Sequence, residues 1–348
     1  MDHDKVTEFV DRVVTDLAAA GAAGLVAIGH RLGLYRALAD GPATPAEFAE
    51  RTGCAERYLT EWLRGQAAGG YVTYDPATGA FSMTEEQVFC LADPNGPNFP
   101  AAALIVLGYL RAEPRLTEAF RTGEGIAWHE HDDDVFVGCD AFYRPGYVAA
   151  LVPSWIPALE GVDEKLAAGG RVADLGCGLG SSSVLMAEAY PRSTVVGSDY
   201  HAASIELARK KAAEAGVGDR VTFEVATAQT FTGTGYDLVT TFDALHDMGD
   251  PVGAARRVRE ALAPDGTWLL VEPYASDVVE ETFTTVGRLY YNGSTFLCVP
   301  NALAQPGGHA LGAQAGEAAI RRIAGEAGFT RFRRVAESPV NLVFEIRP

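Results

Sequence analysis

Arg171-Val-Ala-Asp-Leu-Gly-Cys-Gly-Leu-Gly-Ser181 is the stretch on which the fold turns. Val172 to Leu175 read as a short buried strand, Gly176, Gly178 and Gly180 as a turn free of Cβ bulk, and Ser181 to Tyr190 as the helix that follows. A strand, a glycine turn and a helix bring a row of backbone N–H groups and a helix N-terminus up to an anionic ligand group. The dinucleotide spacing Gly-x-Gly-x-x-Gly fails here, because position 181 is Ser; the pattern present is Asp-x-Gly-x-Gly-x-Gly. A pyrophosphate gains nothing from a carboxylate at the strand end. A ligand carrying an α-amino acid does, with Asp174 facing its ammonium and the turn amides facing its carboxylate.

The next strand, Thr194-Val-Val-Gly-Ser-Asp199, ends in an acid placed to accept both hydroxyls of a ribose. Amino acid plus ribose describes S-adenosylmethionine. From Gly170 to the C-terminus the chain resembles the class I SAM-dependent methyltransferases; a dinucleotide domain or a plain tight turn is the alternative for the motif alone. The resemblance implies an α/β fold with a Rossmann-like, doubly wound, seven-stranded sheet. Strands are expected at 171–175, 194–199, 220–225, 236–242 and 267–272, with a helix after each of the first four. A helix over 315–327 and two strands, Phe332–Val335 and Asn341–Ile346, close the chain; that the last strand inserts antiparallel is what the resemblance implies.

The chain has 348 residues and apolar content enough for sizeable cores. Its formal net charge of −18 opposes nucleic acid and anionic membrane. The acidic start lacks a secretory pattern, and the apolar runs Ala18–Ile28 and Ala101–Leu110 read as too short to span a bilayer. Cys54, Cys90, Cys139, Cys177 and Cys298 are scattered, with no CxxC, which fits reduced thiols in a cytoplasm and no zinc site.

Three divisions are expected: a winged-helix domain over 1–95, a helical linker and pocket segment over 96–165, and the SAM domain over 166–348. Val6, Phe9, Val10, Val13 and Leu17 share one face of an opening amphipathic helix, and the small residues Ala18 to Ala27 suit close packing in a second. Thr44-Pro-Ala-Glu47 is a capping box that starts a helix ended by Gly53. Ala55 to Ala68 follow, with Tyr58, Leu59, Trp62 and Leu63 as the apolar stripe, then a hairpin around Asp75-Pro-Ala-Thr-Gly79. Helix, helix, hairpin is a winged helix-turn-helix. A DNA-reading helix needs outward cations, and here Arg57 and Arg64 are offset by Glu56 and Glu61 while the hairpin turn is acidic. The domain resembles the N-terminal dimerisation domain of plant-type and bacterial small-molecule O-methyltransferases, which implies a homodimer. In the 128–137 stretch, Trp128-His-Glu-His-Asp-Asp-Asp-Val-Phe-Val, His129 and His131 invite a metal reading. Alternate positions and the lack of matching ligands favour a solvated polar loop.

Methyl transfer from a sulfonium is an in-line displacement, so the enzyme aligns the acceptor and removes a proton. Asp243-Ala-Leu-His-Asp-Met-Gly-Asp250 follows the fourth strand, at the sheet edge where ligands bind, and resembles the Leu-His-Asp-Trp-x-Asp motif whose His is the family's base. That resemblance assigns His246 as base and Glu272, at the end of the fifth strand, as its flanking acid. A second family acid aligns with Gln314, a departure that leaves Asp247 as a further candidate to orient the ring. On the donor side the candidates are Asp174, Gly176, Gly178, Asp199, Tyr200, Thr227, Phe242 and Asp243. On the acceptor side they are Trp128, Phe142, Tyr143, Tyr291 and Asn292, with Tyr290 and Phe296 nearby. The reading is a methyltransferase acting on a small molecule, most readily at a hydroxyl oxygen. Nitrogen or carbon acceptors, and a ligand-sensing transcription regulator on the same fold, are the alternatives.

Overall fold

The computed structural model describes all of residues 1–348 and divides them into two compact units. One is Met1–Leu107 with Val137–Pro145; the other is Gly108–Phe136 with Gly146–Pro348. The 96–165 stretch, expected as a segment of its own, supplies residues to both.

The first unit begins with α1 (His3–Arg31), capped by the Asp2 side chain. The two helices expected here are one. Ala18–Ala27 continue it because six of the ten are alanine, the strongest helix former, and Gly21 and Gly24 among them do not break it. Of α1 only Val26, Ala27 and Gly29 are buried, while Phe9 and Leu17 are 64% and 68% exposed. Read as one helix, it is also long and apolar enough by composition to cross a membrane, which the separate reading of its halves hid. Then come α2 (Leu34–Ala39), α3 (Pro45–Thr52) with the Thr44–Glu47 capping box in place, and α4 (Glu56–Ala68). Helix α4 buries Leu59, Trp62 and Leu63, but Tyr58 of the expected stripe is 83% exposed. Trp62 donates its ring N–H to the Leu25 carbonyl (2.9 Å), and Tyr35 its hydroxyl to Gln66 (2.6 Å), so the buried aromatics are satisfied. Strands β1 (Thr73–Asp75) and β2 (Ala80–Ser82) pair antiparallel as the wing, and α5 (Glu85–Leu91) follows.

Helices α6 (Pro100–Leu110), α7 (Glu113–Thr122) and α8 (Asp133–Ala150) come next. The polar loop expected at 128–137 is a correction: Trp128–Glu130 is one helical turn, and Asp132 caps α8, with Asp133 and Asp134 in its first turn. Carboxylates there oppose the positive helix end, and Arg111 pairs with Asp132 (2.5 Å) and Asp134 (2.8 Å). Helix α9 (Val162–Ala168) leads into the sheet.

The sheet is built from β3 (Arg171–Leu175), β4 (Thr194–Asp199), β5 (Val221–Val225), β6 (Tyr236–Phe242), β7 (Leu262–Pro273), β8 (Arg331–Glu337) and β9 (Asn341–Arg347). Their order is β5-β4-β3-β6-β7-β9-β8. The first five run parallel, and β9 inserts antiparallel between β7 and β8. Helices α10 (Ser181–Ala189), α11 (Ala202–Glu214) and α12 (Pro251–Ala261) follow β3, β4 and β6; α13 (Thr285–Gly293), α14 (Val299–Leu303) and α15 (Gly316–Glu326) come after β7. No helix follows β5. Residues 226–235 are a loop in which Gly233 and Gly235 take φ of 83° and 71°, and the threonines between are weak helix formers. Alternate strand residues feed two cores: Val172, Leu238 and Val271 lie in one, Ala173, Leu175, Val239 and Leu270 in the other. Both faces are therefore covered, which is why these strands read as nearly continuous apolar runs.

Candidate active site

At the C-terminal edge of the parallel strands, β3, β4, β6 and β7 present Gly176, Asp199, Asp243 and Glu272 together. The turn after β3 needs its glycines: Gly176, Gly178 and Gly180 take φ of 68°, 52° and 77°. A Cβ on Gly180 would stand 2.8 Å from Phe223, whereas one on Gly178 would meet nothing within 4 Å, which leaves Gly178 open to close approach.

Two expectations for this turn are corrected. Asp174 does not face an ammonium: it is fully buried, and its oxygens accept from Ser182 (2.7 Å), Ser183 (2.6 Å) and Thr240 (2.8 Å). It braces the turn from behind, and burial raises its carboxyl above the usual range. The amides are also engaged. Gly176 and Cys177 donate to the Ser198 carbonyl (2.8 and 3.2 Å), and Gly178 donates to Asp199 Oδ2 (3.0 Å). The turn is thus tied to the end of β4 before any ligand arrives.

Asp199 is half-buried; its Oδ1 accepts from the His201 amide (2.8 Å), and burial raises its carboxyl. Tyr200 donates its hydroxyl to Asn301 Oδ1 (2.7 Å). Thr227 is exposed and bonded to Thr230 (3.0 Å), at the loop that starts where the Ala226 amide meets the Asp199 carbonyl. Phe242 packs on Tyr147 and Trp155 with ring centroids 5.2 and 6.2 Å apart. Asp243 is held at φ 48°, a left-handed conformation rare outside glycine and asparagine. Its Oδ1 accepts from Asn341 (2.8 Å), its Oδ2 is buried with no partner, and burial, then the Glu272 charge, pushes its carboxyl up to about 8.

His246 lies on a single helical turn, Leu245–Asp247, and is 3% exposed. Its Nδ1 is 2.6 Å from Glu272 Oε2, and Glu272 is itself fixed by the Leu245 amide on Oε1 (2.9 Å). Nε2 lies 3.2 Å from Asp247 Oδ1, close enough for ion pairing, though Oδ1 gains no aligned hydrogen bond. Burial alone would lower the imidazole, but the Glu272 and Asp247 carboxylates outweigh it and hold the ring protonated well above the ordinary histidine range. Gln314, aligned with the second family acid, turns to the Tyr274 carbonyl (3.0 Å) instead; Asp247 takes the place beside the ring.

The expected acceptor residues fall in different places. Trp128 packs on Phe136 with centroids 5.5 Å apart, and its amide donates to Asn301 Oδ1 (3.1 Å). Phe142 and Tyr143 belong to the first unit, in contact with each other and, for Phe142, with Phe99. Tyr291 and Asn292 are exposed, and Tyr291 bonds Thr282 (2.9 Å). The polar side chains around the imidazole are Glu272, Asp247 and Cys298. Tyr290 is half-buried, donates to the Val340 carbonyl (2.6 Å), and its hydroxyl is raised by burial and by the Asp243 charge. Phe296 stacks on Tyr109 at 4.8 Å.

Asn301, Cys298, Thr240 and the pair Ser182–Ser183 were missed by the sequence reading. The serines carried a signal, since they open the helix after the glycine turn; Cys298 lies about fifty residues from His246 and Asp247, Asn301 lies 54, 101 and 173 residues from Asp247, Tyr200 and Trp128, and neither carried one.

Comparison with known proteins now bears on this geometry. Residues 166–321 match the family model described as a methyltransferase domain, and residues 20–93 match one described as an Rv2258c-like winged HTH domain. The 27-O-demethylrifamycin SV methyltransferase of Amycolatopsis mediterranei is 35% identical over 103 residues, which are 29% of this chain and 38% of that one. The chain thus spans well under half the length of that relative. The solved mitomycin 7-O-methyltransferase MmcR has the same fold over 100% of both chains, with a TM-score of 0.73 at 21% identity. An O-methyltransferase of neocarzinostatin biosynthesis, solved with S-adenosylmethionine and 2-hydroxy-5-methyl naphthoic acid, superposes with a TM-score of 0.61 at 19% identity, over 94% of this chain and 96% of that one.

Proposed function

We propose that this chain, which carries a methyltransferase domain behind a winged helix-turn-helix domain, transfers a methyl group from S-adenosylmethionine to a hydroxyl oxygen of a small organic molecule. The observation that carries the reading is the His246–Glu272 pair, 2.6 Å apart and buried, at the sheet edge that also bears the glycine turn. When bound, S-adenosylmethionine supplies a methyl group already activated on a sulfonium. The residues present suit that group. Gly178 leaves open space, half-buried Asp199 offers a carboxylate to a ribose, and the orphaned Asp243 Oδ2 offers an acceptor to an ammonium. Phe242 closes the apolar side, Asp174 holds the turn in shape from behind, and Tyr200 and Thr227 edge the nucleoside end.

Glu272 fixes the Nδ1 side of the ring, so Nε2 is the nitrogen that exchanges a proton with the acceptor. While the ring keeps its proton, it is a cation beside the acceptor and favours an oxygen that carries negative charge. Trp128, Tyr290 and Tyr291 are the aromatics of this unit proposed to contact the acceptor, with Asn292 beside them.

The winged helix is proposed as a dimerisation module. The Arg57 side chain on α4 is already paired with Glu61 (2.5 Å), leaving few free cations for phosphate. Helix α1 mixes its apolar stripe with Glu8, Asp11, Arg12 and Asp16, which suits a second copy of this chain better than a bilayer. Five free cysteines support a cytoplasmic location.

The test is His246→Ala. It should leave S-adenosylmethionine affinity nearly intact and lower turnover by roughly 10²–10⁴, the usual share of general acid–base catalysis. The loss should be largest above the pH at which the ring gives up its proton, and there for acceptors that are still protonated. S-adenosylhomocysteine formation at near-normal rate in the variant would remove His246 from the chemistry.

A further inference from the structure

We propose that His246 Nε2, Asp247 Oδ1 and Cys298 Sγ form a three-ligand site for a divalent cation of the zinc class. The three residues come from two short helical turns about fifty residues apart in sequence, and one donor atom from each lies within 4.8 Å of the other two. Around a tetrahedral zinc ion, nitrogen, oxygen and sulfur ligands stand roughly 3.4–3.6 Å apart. The Nε2–Oδ1 separation is 3.2 Å and no separation in the set exceeds 4.8 Å, so side-chain movement of about 1 Å closes it on an ion.

Three features distinguish this group from a chance meeting of polar side chains. The donor set is imidazole, carboxylate and thiol, the combination that zinc takes and that hard oxygen-seeking cations do not. Asp247 Oδ1 is buried without an aligned hydrogen bond although the imidazole is beside it, and the side chain set to donate to this carboxylate is the Cys298 thiol, whose proton a metal ion would replace. The third lies behind the ring. Metal-bound histidines hand their other ring N–H to a carboxylate, and Glu272 sits 2.6 Å from Nδ1 and is locked by the Leu245 amide. Asp247 is fixed in the same manner, its carbonyl accepting from Asn301 (3.2 Å) and Gln305 (2.8 Å). A carboxylate and a thiolate also balance the two charges of the ion, which a site this buried requires. The fourth position opens beside Asp247, the only one of the three with a side chain appreciably exposed, at 19%.

Binding releases two protons to solvent, the one that the carboxylates hold on the ring and the one on the Cys298 thiol, and places the freed Nε2 lone pair and the thiolate in bonds to the ion. The ion and the acceptor proton then compete for one nitrogen, so zinc stops the transfer; this consequence rests on the reading of His246 as base, whereas the site itself does not.

The experiment uses the full chain, stripped with a chelator and titrated with Co²⁺ while the thiolate-to-cobalt absorption is followed; Zn²⁺ binding is measured by calorimetry. One ion per chain and a thiolate band are expected. Cys298→Ser should abolish the band, Asp247→Asn should weaken binding, and Glu272→Gln should weaken it about 10–100-fold, each with an unchanged circular dichroism spectrum. S-adenosylmethionine affinity should stay the same with and without Zn²⁺. Absence of the band in the wild type, or an equal band in Cys298→Ser, overturns the site. A chain that binds one ion through Cys298 yet forms no S-adenosylhomocysteine when metal-free upholds the site and overturns the transfer reading instead.

Discussion

Asp199 is the residue on which donor binding can be tested most sharply, because one carboxylate that braces the turn is also the one proposed to hold a ribose. Each oxygen already accepts one backbone N–H, from Gly178 at 3.0 Å and from His201 at 2.8 Å. A carboxylate has about four lone-pair positions, so about two remain, one on each oxygen, for neighbouring ribose hydroxyls. Hydrogen bonds to a charged acceptor contribute about 1.5–3 kcal/mol each. Asp199→Ala should therefore loosen the glycine turn and the start of α11 by an amount of that order, which appears as lower stability. Separately, it should weaken S-adenosylmethionine binding by about 1–3 kcal/mol, or roughly 5–150-fold in Kd. Asp199→Asn keeps an acceptor for the His201 amide but turns an NH₂ toward either Gly178 or a ribose hydroxyl, so its affinity should fall nearly as far while less stability is lost. Isothermal titration at a temperature where circular dichroism shows all three proteins folded reads the affinity alone. A Kd within twofold of wild type in a folded Asp199→Ala would show that the carboxylate only braces the turn, and the ribose assignment would be wrong.

Gly180→Ala should destabilise the chain by about 2–5 kcal/mol in urea unfolding, since its Cβ would stand 2.8 Å from Phe223 and 2.9 Å from Ala208 at a φ of 77°; a loss under about 0.5 kcal/mol would mean the turn relaxes freely. Asp243 has a folded carboxyl pushed up to about 8 from 3.8, so the folded state keeps a proton that the unfolded chain releases. Stability should accordingly fall as pH rises from about 4 to 8, by up to about 1.4 kcal/mol per pH unit from this group. Asp243→Asn, which tolerates the same φ, should lose that slope, and parallel pH profiles of the two melting curves would refute it. The bare apolar stripe of α1 should be covered by a second copy, giving a dimer in light scattering at micromolar concentration that Phe9→Glu with Leu17→Glu converts to monomer; an intact chain that is already monomeric defeats this.

Backbone-level features were the most legible in the sequence. The glycine turn, the alternation of strands with helices, the Thr44 capping box and the wing all depend on local chemistry, and local chemistry is what a sequence displays; the antiparallel last strand came from the resemblance. Errors arose where packing decides. Ala18–Ala27 looked like a separate element because small residues carry no periodic signal, yet they propagate α1 without a break. Trp128–Val137 looked like a solvated loop because its charges are dense, yet three aspartates in a row make a good helix start once Arg111 is beside them. Asp174 was recognised as important but given the wrong neighbour: its partners are hydroxyls at 182, 183 and 240, and only the fold brings Thr240 to it.

The site residues that no motif announced are those that join its halves. Asn301 Oδ1 accepts from Tyr200, the residue after the proposed ribose acid, and from the Trp128 amide, while Asn301 Nδ2 donates to the carbonyl of Asp247, the residue after the proposed base. Gln305 adds a second donor to that same carbonyl. One buried amide therefore ties the proposed nucleoside end to the loop that bears His246. At Asp199 and at His246 a substitution acts on one half, so binding and turnover separate. At Asn301 they do not: loss of its side chain leaves a buried tyrosine hydroxyl and a backbone amide unpaired on one side and a carbonyl short of a donor on the other. Donor affinity and acceptor alignment fall together because both depend on the same three hydrogen bonds.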